Sequence, residues 1–153
     1  MAEFHVSIYI ETSIKGPVIK AAAGEWIVEY VTNKGIPVTR RGILWKEKTT
    51  ENALALELLK GALLSLGKTC SIRVFTQCAH ILNTVNNHWL PQWAKNGWVN
   101  AKGKTVGNAG LWQQVYGEMQ KHFIEVCQDG HTYKSVMQHD IKRELKEHRA
   151  GRG

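Results

Sequence analysis

The sequence predicts an α/β fold: a five-stranded mixed sheet in the order β-β-β-α-β-α-β-α, with helices on both faces. Three observations lead there. In FHVSIYIE, Phe4, Val6, Ile8 and Ile10 alternate with His5, Ser7, Tyr9 and Glu11, the period of two that a half-buried strand requires. At Thr49 the pattern turns abruptly into the Ala- and Leu-rich run TTENALALELLKGALLSLG, which has the length and end residues of a helix. Beyond it, two short apolar segments, CSIRVFTQ and FIEVCQ, are separated by helical stretches. Such spacing calls for parallel neighbours, because parallel strands need a long crossover.

The elements follow in order. The first strand ends at Glu11, and GEWIVEYV and RRGILWKEK read as two further strands joined through TNKGIP, whose Asn, Gly and Pro are turn formers. The helix that follows opens on Thr and Asn as caps and closes at Gly67. CSIRVFTQ is the fourth strand, CAHILNTVNNHW a short helix, and NAGLWQQVYGEMQKH a longer one with Leu111, Val115 and Met119 in helical register. FIEVCQ is the fifth strand, DGHTYK a turn, and SVMQHDIKRELKEH a charged closing helix.

With 153 residues, 43% of them hydrophobic, the chain is expected to form a single domain over residues 1–148, with a flexible basic tail over 149–153. No apolar run approaches a membrane span and the start has no leader pattern, so the expectation is a cytoplasmic protein with no membrane association. The three cysteines, Cys70, Cys78 and Cys127, lack C-x-x-C spacing and sit in apolar surroundings, which argues against a disulfide or zinc framework. Cys78 with His80, or Cys127 with His131, is too small a ligand set for zinc.

A net charge of +7 and a pI near 9.4 favour polyanionic partners, nucleic acid first. The distribution sharpens this. Between Glu57 and Glu118 there is no acid, while Lys60, Lys68, Arg73, Lys95, Lys102 and Lys104 fall inside that span.

One segment, WAKNGWVNAKGKTVGNAGLW (Trp93 to Trp112), together with the element order, resembles the bacterial type 1 ribonuclease H family. It matches in the spacing of Trp93, Trp98 and Trp112, the Asn-Gly before Trp98, Lys102 and Lys104, and the Asn108 opening of a helix. YIETS, TTENALAL, VFTQ and DGHTY extend the resemblance over nearly the whole chain. In that family the segment forms a handle that grips the DNA strand of an RNA–DNA hybrid. The resemblance thus implies nucleic-acid contact, with a hybrid or duplex, through Thr50, Asn52, Trp93, Trp98, Lys102, Lys104 and Asn108. Trp98, flanked by polar residues, is the ring expected to be exposed; Trp112 is expected in the core.

The resemblance also implies phosphodiester hydrolysis by two magnesium or manganese ions about 3.5–4 Å apart. Such hard ions need oxygen ligands and several carboxylates. The family places acids at the end of strand one, in the first long helix, at the end of the central strand and early in the last helix. Here these positions hold Glu11, Ala55 and Gln77, and the fourth has only Asp140 nearby, if a one-residue deletion in the turn is assumed. Glu57 lies about 200° around the helix from Ala55, facing away, whereas Glu51 lies one turn back on the same face and is a possible substitute ligand. Gln77 brings a carbonyl oxygen without charge. His131, in the Gly-His turn, matches a histidine thought to move protons or assist product release. The glycine-rich turn after strand one is replaced by SIKGPVIKAAAG, which hinders close approach to 2′-hydroxyls.

The expected site is therefore vestigial: Glu11, Gln77, His131 and Asp140 in catalytic positions, with weak metal binding at Glu11 and Asp140. Three functions compete. The first is a binding module with little or no cleavage. The second is an active hybrid endonuclease using Glu11, Glu51 and Asp140 with Gln77 as a neutral ligand. The third is a module whose basic face meets an acidic protein.

Overall fold

The computed structural model describes residues 4–151 of the chain. Strand β1 (Phe4–Thr12) is central, flanked by β2 (Lys20–Val31) and β3 (Pro37–Thr49) on one side and by β4 (Cys70–Phe75) and β5 (Phe123–Cys127) on the other. The sheet order is β3-β2-β1-β4-β5. The β1–β2 and β2–β3 pairs are antiparallel, and the β1–β4 and β4–β5 pairs are parallel, the mixed sheet that the segment order predicts.

Helix α1 (Glu51–Leu64) starts where the sequence places it, with the Thr50 hydroxyl accepting a 3.2 Å bond from the Ala53 N–H. Its Leu54, Leu56, Leu58, Leu59 and Leu63 are at most 1% exposed and join Val6, Ile8 and Ile10 of β1 in the main core. Burying one such side chain contributes about 1.5–3 kcal/mol, so this layer dominates the stability. Trp26 of β2 lies against two glycines: a methyl added at Gly42 of β3 or Gly61 of α1 would come within 2.5 or 2.7 Å of its indole nitrogen. Only glycine leaves room there.

The short helix expected over residues 78–89 is present as α2 (Ala79–Asn86), and a further helix, α3 (Trp89–Lys95), follows it. His88 sits between them in the left-handed region, φ 57°. A continuous helix would drive the Pro91 ring into the carbonyl of Asn87, whereas in the first turn of a new helix proline is tolerated. Helix α4 (Ala109–Met119) packs on α1, with Trp112 and Val115 fully buried.

Helix α5 (Lys134–Gly151) crosses the opposite face of the sheet, where Met137 packs with Tyr9 and Ile27. It runs on to Gly151, so most of the segment expected as a flexible tail continues the helix, while residues 152–153 lie outside the described residues. Cys70 and Cys78 are buried and Cys127 half-buried, all as free thiols. Among the described residues, no helix is long and apolar enough to cross a membrane.

Candidate active site and nucleic-acid interface

The ends of β1 and β4 lie side by side, with Tyr9 opposite Phe75. The chain beyond them, together with the start of α1, forms a small cleft lined by Glu11, Lys15, Glu51, Ala55, Gln77 and Cys78. A crevice outside the carboxyl ends of parallel strands is the usual binding position in such sheets. The structure thus brings together the first three family positions, Glu11, Ala55 and Gln77, and adds Glu51.

Glu11 is 5% exposed and shared between two donors. Its Oε2 is 2.9 Å from Nε2 of His131, and its Oε1 accepts a 2.7 Å bond from Nε2 of Gln138. The Nδ1 of His131 accepts from the Tyr133 backbone N–H at 3.2 Å, which puts the ring proton on Nε2 and makes that nitrogen the donor to Glu11. The imidazole packs 4.7 Å from the Tyr9 ring. Gln77 is exposed, and its Nε2 donates a 2.6 Å bond to the Gln128 carbonyl in the turn before α5. The Oε1 of Glu51 accepts from the Gly16 N–H at 3.0 Å, anchoring the β1–β2 connection. Glu57, as its helical position predicts, turns away to pair with Lys46 at 3.1 Å.

Asp140 does not line this cleft, and neighbours Glu25, the residue opposite Glu11 on β2. It is two residues beyond Gln138, about 200° around the helix, and bonds Arg41 of β3 and Arg143, both at 3.2 Å. The α5 residue that reaches Glu11 is Gln138. A search for acids passes over a neutral amide, although Gln138 sits one turn into the helix and seven residues after His131.

A second residue, this one an acid, also carries no motif in the sequence. Glu25 stands opposite Glu11 on β2 and is 0% exposed, with Asp140 as its charged neighbour. Burial, then the neighbouring Asp140, pushes it up to about 7. Its only mark in the sequence is an acid inside the apolar strand GEWIVEYV.

The residues present do not fit a pair of divalent ions. Such a pair needs several carboxylates around it, whereas Ala55 offers no ligand and the amide nitrogens of Gln77 and Gln138 are turned to carbonyl and carboxylate oxygens. Among the described residues, no three of His, Cys, Asp and Glu come together in a way that could hold a metal ion.

The segment after α3 is built tightly. Gly97 and Trp98 both have positive φ, at 73° and 64°, and the Trp98 N–H bonds the Trp93 carbonyl at 2.7 Å. That turn folds the Trp98 ring back to within 6.0 Å of Tyr116, so it is half-buried rather than the exposed ring expected. The Asn100 side chain accepts from the N–H groups of Lys102 and Lys104 at 2.9 and 3.1 Å, and Val99 bridges Thr105. Both lysine side chains stand exposed on this fixed loop and, like Lys95, have no ion-pair partner among the described residues. Trp93 is half-buried between Trp89 and Trp112, and Asn108, exposed at φ 59°, begins α4. Trp112 donates to Nε2 of His80 at 2.8 Å, tying α4 to α2. Thr50 caps α1, and the Asn52 side-chain oxygen lies 3.5 Å from the Cys78 thiol.

Comparison with known proteins agrees with this architecture. Ribonuclease H of Lachnoclostridium phytofermentans is 27% identical over 130 residues, covering 82% of each chain. That of Stutzerimonas stutzeri is 30% identical over 129 residues, 81% of this chain and 78% of its own. The crystal structure of LC9-RNase H1, a type 1 RNase H with the type 2 active-site motif, superposes with a TM-score of 0.74. Its identity is 22%, over 91% of this chain and 71% of that one, a likeness of fold. The RNase H family model matches residues 6–142, and with the sheet order and the handle in place, the chain belongs to the RNase H family.

Proposed function

We propose that this chain is an RNase H-like domain that binds nucleic acid, an RNA–DNA hybrid or duplex, and cleaves it little or not at all. The observation that carries the reading is the set of partners around Glu11. Where hydrolysis by two ions asks for carboxylates open to cations, both oxygens of Glu11 are held, one by an imidazole and one by an amide. Among the described residues Glu51 is the only other carboxylate lining the cleft, and it bonds the Gly16 backbone. The handle supports the binding half of the reading: exposed Lys102 and Lys104 on a braced loop suit phosphate neutralisation.

The test uses a labelled RNA–DNA hybrid with magnesium or manganese. Salt-dependent binding without cleavage is expected. Cleavage by the wild-type chain that disappears in Glu11→Ala would establish the endonuclease reading instead. Binding to an acidic protein, with none to hybrid or duplex, would favour the third reading.

A further inference from the structure

We propose that Glu11, Gln77 and Gln138 form a latch that holds the turn between β5 and α5 closed over the end of the sheet, each acting on that turn or on α5 through a hydrogen bond. The proposal rests on the reading of the site as one without its ion pair, and it gives these residues a positioning role.

The geometry is specific. The turn of residues 128–133 is held at three points: Gln77 Nε2 to the Gln128 carbonyl, Glu11 to His131, and the Tyr133 hydroxyl to the Glu29 carboxylate. The hydrogen bond to Glu29 and burial push the Tyr133 phenol up to about 12, which keeps it a donor. Gln138 then fixes the first turns of α5 to the same Glu11. At every contact to this strap a donor meets an acceptor. A carboxylate at position 77 would aim an acceptor at the Gln128 carbonyl, and one at position 138 would aim a second anion at Glu11. The amides are thus the residue type that the closed turn requires, so Gln77 and Gln138 have a present use in this structure. His131, with both ring nitrogens engaged, serves as a strut between Glu11 and the Tyr133 backbone.

A metal-ligand carboxylate and a latch carboxylate respond oppositely to neutralisation. Acids gathered for cations repel one another in their absence, so removing one leaves stability unchanged or raises it. Replacing one oxygen of a buried carboxylate shared by two donors with an amide N–H sets donor against donor and lowers it. Thermal unfolding of Glu11→Gln is therefore expected to show a Tm lower by about 3–8 °C. Hydrogen exchange should rise at least tenfold across residues 128–138 and stay unchanged across residues 98–106. Manganese should leave the wild-type Tm where it is. Gln138→Glu, which changes one donor to an acceptor at constant shape, should open the same segment if Glu11→Gln does not fold. An unchanged or higher Tm in Glu11→Gln, exchange that rises uniformly through the chain, or a manganese-induced Tm increase that Glu11→Gln abolishes would each overturn the latch. None of these readouts involves nucleic acid, so failure of the latch and failure of the binding reading are separable.

Discussion

At the handle, Lys102 and Lys104 stand in solvent on a loop tied by Asn100, and the surrounding sequence contains no acid from residue 58 to residue 117. At the sheet end, Glu11 is 5% exposed and held between His131 and Gln138. In the first region the charges stand in solvent with no ion-pair partner among the described residues; the second directs its polar groups at other parts of the same chain. Both fit the RNase H pattern in backbone. They differ in whether the side chains remain available, and binding and hydrolysis can therefore part company within one fold.

The most severe way to break this contrast is at Trp112, which is 0% exposed and joins the handle helices to the core through His80 and Trp93. Trp112→Ala is expected to cost about 3–5 kcal/mol in denaturant unfolding and to weaken hybrid binding with it. Intact binding in a destabilised variant would show that the handle needs no such anchor.

A smaller effect separates the sheet end from the handle by pH. Glu25 is pushed up to about 7 from an ordinary 4.5, by burial first and Asp140 second. The folded chain thus retains a proton that the unfolded chain has released above about 4.5. This contribution to stability is complete below that pH and is lost as pH rises through 7. Glu25→Gln should raise the Tm at pH 8 by roughly 2–6 °C and flatten its fall between pH 5 and 8. An unaltered pH profile would place the titration in another group.

Smaller again, the Lys102→Ala/Lys104→Ala double variant should bind a hybrid about tenfold more weakly and reduce the log–log salt slope by about 2, with Tm unchanged. A slope equal to that of the wild type would remove these lysines from the interface. The mildest change is Gln77→Ala. Its bond is exposed, so about 0.5–1 kcal/mol is expected in equilibrium unfolding; a larger loss would show that the strap depends on it more than on Glu11.

Much of the architecture was legible because local patterns carried it: period-two alternation for β1, the Thr50 cap and Leu run for α1, and the tryptophan spacing for the handle. What escaped depended either on local backbone geometry that hydrophobic patterning does not show or on contacts between distant segments. The split between α2 and α3 turns on Pro91, whose ring constrains the backbone four residues earlier. Trp98 is flanked by polar residues yet folds inward, because the left-handed Gly97–Trp98 turn sets the direction of its ring. Arg149 belongs to α5 rather than to a tail. At the site, Glu11, Ala55 and Gln77 come from the resemblance to the family's motifs, while Gln138 requires knowing which face of α5 meets β1. Asp140 comes from the resemblance with one deletion assumed, and in the structure it bonds Arg41 and Arg143.

The bond from the Gln77 amide to the Gln128 carbonyl bears on any attempt to add carboxylates at this end of the sheet. Installing acids one at a time meets resistance at each step, since position 77 faces an oxygen and position 138 faces an anion. Redesign would have to reroute the backbone of residues 128–133 together with the new ligands.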